Sequence, residues 1–144
     1  MKKIIYGVLF CLPLYILAQI NTDDLDLAHK ILEVSEENIL RNPEYYNWGS
    51  SIIKGDDGKY HLFYAQMSKK KGFKSWLTDG IVSHAIAESV AGPYVHQEVV
   101  LEGRGPAYWD AYTAHNPRIK FFDGKYYLYY MSTNHRNRTL SEEE

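Results

Sequence analysis

One eight-residue pattern occurs twice in this chain. Asp57-Gly58-Lys59-Tyr60-His61-Leu62-Phe63-Tyr64 returns 66 residues later as Asp123-Gly124-Lys125-Tyr126-Tyr127-Leu128-Tyr129-Tyr130. In each copy an Asp-Gly pair divides two apolar runs, the strongest short-range signal for a β-hairpin. Ile53-Lys54 and Ile119-Lys120 stand at the same offset, so the strand before each turn is repeated as well. From Lys59 to Met67, Tyr60, Leu62 and Tyr64 share one face and His61, Phe63 and Ala65 the other. Apolar groups on both faces predict a strand covered on both sides.

Taken in order, Asn42-Pro43 marks a turn and the segment from Tyr45 to Ser51 enters the first repeat. Ser51 to Lys54 is a short first strand, and Lys59 to Met67 the second. Ser68 to Gly80, SKKKGFKSWLTDG, reads as a basic loop, with its lysines solvated and Asp79 in a turn. Ile81 to Ser89 is a third strand. Gly92-Pro93 is a turn, and Val95 to Leu101 a fourth strand whose polar alternation suits an outer edge. After the loop from Glu102 to Tyr108, Thr113 to Phe122 and Lys125 to Met131 repeat the first two strands.

Four strands followed by a repetition predict an all-β chain, and self-similarity at one period points to a β-propeller of four-stranded blades. Blade one spans about 47–102 and the start of blade two about 113–134, together a partial propeller over 45–134. Closure takes at least about four blades, so either this is the front part of a longer protein or the propeller reading is wrong.

Ahead of the repeats, Met1-Lys2-Lys3 and the apolar run from Ile4 to Ala18 read as a signal peptide, 1–18, too short to span a bilayer. The expectation is a secreted or periplasmic protein beginning at Gln19, with no membrane span after cleavage. Segment 19–44 is a lead-in. Thr22 caps a short amphipathic helix through Leu25, Ala28, Ile31 and Leu32, or else Lys30 to Val34 is a lead-in strand. A polar tail, 135–144, carries the sequon Asn137-Arg138-Thr139. The single cysteine, Cys11, lies in the leader, so the mature chain has neither a disulfide nor a thiol nucleophile nor a thiolate zinc site.

A formal net charge of −2 gives no basic footprint for nucleic acid. Thirteen tyrosines in a weakly acidic chain suit neutral polar ligands such as sugars, because a flat ring stacks on the apolar face of a pyranose. The chemistry-bearing residues gather before the second hairpin. Asp110 reads as a general base or hydroxyl acceptor, or as a loop cap through its own backbone. His115 and Asn116 read as hydroxyl donors, or as a turn before Pro117. Trp48 and Trp109 are sugar platforms or packing groups. His84 reads as a core histidine, and neither a metal nor a cofactor is expected.

Together, NWGSSIIKGDDGKYHLFYAQ, GIVSHAIAESVAGPY, VLEGR and YWDAYTAHNPRIKFFDGKYYLYYMSTN resemble the opening blades of the five-bladed β-propeller glycoside hydrolases, the family 43-like group with relatives in families 32, 62, 68 and 117. The resemblance covers Asn47 to Asn134. It implies an active site at the mouth of the central channel, built from innermost strands. Two carboxylates do the chemistry there: one protonates the leaving oxygen while the other activates water or attacks carbon. On this resemblance Asp110 is the catalytic candidate, and Asn47, Trp48, Trp109, His115 and Asn116 bind substrate. The first blade begins Asn47-Trp48-Gly49-Ser50-Ser51, without an acid, and the general-acid Glu belongs to a later blade. The expected function is an exported hydrolase of poly- or oligosaccharides, truncated so that part of the active site is missing. The alternative is a carbohydrate-binding protein without catalysis.

Overall fold

The computed structural model describes residues 31 and 33–135. The signal peptide, the helix capped by Thr22 and the sequon in the tail lie outside the described residues. In the described part of the lead-in, Glu36–Asn38 form one 3-10 turn, and no residue joins a strand before Tyr45.

Six strands follow: β1 (Tyr45–Lys54), β2 (Tyr60–Ser68), β3 (Ile81–Ala87), β4 (Val95–Leu101), β5 (His115–Phe122) and β6 (Lys125–Met131). The described residues are therefore all-β, without an α-helix, and no helix among them is long and apolar enough to cross a membrane. β1 to β4 form one antiparallel sheet in sequence order, and β5 and β6 a second, two-stranded one. Both Asp-Gly turns fall between the strands they were expected to join.

β2 shows the burial that its two apolar faces required. Leu62, Tyr64, Ala65 and Met67 are all buried. On one face Leu62 and Tyr64 pack with Ala85, under Leu40 and Tyr94. The other face meets β5, whose burial alternates so that His115, Pro117 and Ile119 point inward. A hydrogen bond closes this seam: the Ile119 backbone N–H donates to the Ser51 Oγ at 3.2 Å. β4 is an exposed edge, as its polar alternation indicated.

β1 begins six residues earlier than its sequence signal. Gly49 looks like a breaker, yet it sits in a β-bulge between Trp48 and Ser50 with φ +35°. A bulge inserts one unpaired residue and so resets which side chains share a face. Trp48 pairs with Ala65 and Ser51 with Phe63, which puts Trp48 and Ser51 on the same side, toward β5. Without the bulge, strict alternation would send Trp48 to the opposite face from Ser51. Three smaller differences fall at strand ends: β2 runs one residue later, β3 stops at Ala87, and β5 starts at His115.

At the hairpin end of the first sheet, four side chains from four segments are joined. His61 Nε2 lies 3.1 Å from Asp57 Oδ1, and His61 Nδ1 lies 2.9 Å from His84 Nε2, the two rings being parallel within 3°. His84 Nδ1 faces Glu98 Oε1 at 3.8 Å. A ring-to-ring N–H···N bond holds one proton, so a second charge on the pair breaks it. Burial, and then the His61 beside it, push His84 below the ordinary histidine range, against the opposing pull of Glu98 and Asp57. The unfolded chain therefore binds more protons than the folded one at acid pH. Stability contributed here is complete at neutral pH and falls as pH drops through the unfolded value of about 6.5. Thermal midpoints measured from pH 7.5 to pH 5 should decline, and His84→Gln should flatten the slope; an unchanged slope would show that the pair does not carry it.

Candidate functional site

Where the two sheets meet near the start of β1 and β5, a cleft of about 290 Å³ opens between Trp48, Phe73, Trp76, His115 and Asn116, floored by Ala65 and Met67. It brings together three residues singled out in the sequence: Trp48, His115 and Asn116. β1 supplies Trp48 because of the bulge, and β5 supplies His115 as its first inward residue. A larger cleft of about 400 Å³ lies at the opposite end of the same seam, among Ile53, Asp57, Phe63 and Ile119, and holds none of these candidates.

Phe73 and Trp76 were hidden in the loop read as a solvated basic surface. They belong to a 3-10 turn, Phe73–Leu77, following another at Lys69–Lys71. Residues i and i+3 of a 3-10 turn eclipse, so both rings point to one side. Their three-residue spacing is the signal that could have found them. Phe73 meets Trp48 at 5.4 Å and Tyr46 at 5.8 Å between ring centroids. Trp76 stands edge-on to His115 at 5.5 Å. The loop is held to the approach of β5: Thr113 Oγ1 donates to the Trp76 carbonyl at 3.0 Å, and the Ala114 N–H donates to the Gly80 carbonyl at 2.7 Å. Within the loop Lys71 pairs with Asp79: burial raises the Asp79 carboxyl, and the bonds from Lys71 and Thr78 outweigh it and hold it below the usual carboxylate range.

His115 is buried, and burial lowers its pKa despite the neighbouring Asn116 carboxamide, which favours the charged form. At neutral pH it presents a neutral imidazole. Asn116 holds φ +49° in a second irregularity, where β5 slips against β6 between His115 and Arg118. A non-glycine residue in the left-handed region is uncommon and clusters at functional sites.

Asn47 is not brought to these residues. It points to the other face of β1, where its Nδ2 donates to the Leu40 carbonyl at 2.6 Å and its Oδ1 accepts from Gln66 at 3.0 Å. Gln66 in turn accepts from the buried Ser83 hydroxyl at 2.6 Å. Asn47 thus ties the lead-in to the sheet, a use set by its lying on the face opposite to its neighbour Trp48.

Asp110 and Trp109 form a separate cluster. Asp110 is 1% exposed and both its oxygens are occupied. Arg104 Nε donates to Oδ1 at 2.8 Å and Oδ2 at 2.7 Å, and the Tyr130 hydroxyl donates to Oδ2 at 2.6 Å. Burial raises the carboxyl, and the hydrogen bonds from Tyr130 and Arg104 outweigh it, so Asp110 stays below its ordinary value. The Arg104 N–H also donates to the Asp110 carbonyl at 2.9 Å. Trp109 is largely exposed, its ring 5.4 Å from that of Tyr130. Among the described residues no group of three or more His, Cys, Asp or Glu is placed to hold a metal ion.

The cleft therefore offers aromatic faces, one neutral imidazole and one carboxamide, with no charged side chain in its lining. Such a site suits stacking and hydrogen bonding to a neutral polar ring. No family model matches the chain, and no curated protein matches it either.

Proposed function

We propose that this is an exported carbohydrate-active protein on a β-propeller plan, of the family 43-like glycoside hydrolase kind, whose cleft between the two sheets receives a sugar. The observation that carries the reading is the convergence of Trp48, Phe73 and Trp76 around His115 and Asn116. Aromatic rings take the apolar face of a sugar, and the imidazole and carboxamide take its hydroxyls. The propeller plan is supported by the repeat and by the packing of β5, the first strand of the second copy, against β1 and β2 of the first. In this reading hydrolysis draws on Asp110, from its own cluster in the loop before β5, together with a second carboxylate.

A specific observation favours the second reading, carbohydrate binding without catalysis. The cleft lining contains no carboxylate, and both oxygens of Asp110 are engaged by Arg104 and Tyr130. Calorimetric titration with a panel of neutral mono- and oligosaccharides, run beside an assay for released reducing ends, separates the two. Binding with release supports the hydrolase, and binding without release supports the recognition module. Absence of binding across the panel would overturn both.

A further inference from the structure

The two backbone irregularities at the cleft face each other across the seam. One is the β1 bulge at Gly49, the other the β5 slip at Asn116. Both residues hold positive φ, +35° and +49°. A Cβ placed on Gly49 would lie 2.7 Å from Asn116 Oδ1 and 3.7 Å from Asn116 Cα. Real Cβ atoms do not approach an oxygen so closely. The carboxamide thus occupies the space that a side chain at position 49 would fill. Its Nδ2–H donates to the weak thioether acceptor of Met131, Sδ at 3.6 Å, and the carboxamide also bonds the His115 imidazole, so one amide N–H and one oxygen lone pair remain for a ligand.

From this geometry we infer that Gly49 is a positioning residue and Asn116 the specificity-determining residue of the sugar site, the bare Cα of Gly49 seating the Asn116 carboxamide at the aromatic cleft to read a vicinal diol. The inference rests on the carbohydrate reading above and names the substrate class it takes. A carboxamide offers one acceptor and one donor edge side by side, which matches two adjacent hydroxyls. The absence of charge in the lining selects a neutral ring over a uronic or sulfated one. Bulges beside sites commonly re-aim one side chain. Here one bulge in each sheet serves a single amide.

The test is a double-mutant cycle on Gly49→Ala and Asn116→Ala in the full chain, read by calorimetry with neutral methyl glycosides and their monodeoxy analogues. Each single variant should lose about tenfold in affinity for the parent glycoside. Each should also lose the preference for parent over deoxy analogue, and the double variant should lose no more than either alone. Wild-type affinity in Gly49→Ala, or losses that multiply in the double variant, would overturn the inference. A second cycle needs no ligand: Gly49→Ala should lower the thermal midpoint less in an Asn116→Gly background than in the wild type, because any strain of Ala at positive φ is common to both. Equal shifts would overturn the coupling. If the wild type binds no sugar while the thermal coupling is present, the carbohydrate reading fails and the positioning of Asn116 by Gly49 stands.

Discussion

Replacing Asp110 with Ala should lower the thermal midpoint by roughly 10 °C or more, the size of shift that the loss of several charge-assisted bonds gives in a domain of this length. The reason is the number of segments that one carboxylate joins. Arg104 and Asp110 close the loop between β4 and β5 through side chain and backbone, and Tyr130 fastens that loop to β6. Removing the carboxylate leaves the Tyr130 hydroxyl without its acceptor and frees Arg104, whose guanidinium also lies over the Tyr108 ring at 4.5 Å. Asp110→Asn retains the shape and one acceptor, so its loss should be distinctly smaller. Because the folded-state pKa of Asp110 is depressed, its stabilising contribution is present above the unfolded value of about 3.9 and is lost as pH falls through the folded one. Equal midpoints for wild type and Asp110→Ala would remove this anchoring role. Full stability in Asp110→Asn with lost hydrolysis would instead place Asp110 in the chemistry.

The second large effect is on binding. Trp48 is half exposed, 52%, and one of its faces is open to the cleft while its ring meets Phe73. Trp48→Ala should weaken sugar affinity by more than about tenfold, the scale of an aromatic platform worth upward of 1.4 kcal/mol. Its cost in stability should stay below about 2 kcal/mol, because so much of the ring is already in water. Tyr46→Ala is the control: Tyr46 packs on Phe73 but does not line the cleft, so its effect on affinity should be small. Equal losses in the two variants would mean that the aromatic trio only supports the loop.

Much of the strand plan was legible because its signals are local. Asp57-Gly58 and Asp123-Gly124 fix two hairpins, and β4 and β6 begin and end where the turn residues and alternation put them. The β-rich architecture follows from the repeat. What was not legible depends on contacts between distant segments. Gly49 reads locally as a breaker, and only the pairing of Trp48 with Ala65 and Ser50 with Tyr64 reveals it as a bulge inside one long strand. That single inserted residue decides that Trp48 reaches the cleft and Asn47 does not.

The site was half legible for the same reason. His115 and Asn116 stand out by residue type before Pro117, and the structure gathers them with Trp48. Phe73 and Trp76 were masked by the lysines around them, whose charge signals a wet surface and says nothing of where the two rings between them point. The partners of Asp110 are Arg104, six residues before it, and Tyr130, twenty after. No short motif encodes that triangle, so the loop-cap reading and the catalytic reading were equally open from the residues alone.

The most direct test of the account is an NMR titration of the ¹⁵N-labelled protein with a neutral oligosaccharide, following the indole N–H signals of its tryptophans and the side-chain amide of Asn116. The Trp48, Trp76 and Asn116 signals should move together along one saturating curve, with signals near His61 and Asp57 unmoved. Saturable shifts confined to the opposite end of the seam, or none at millimolar sugar, would contradict it.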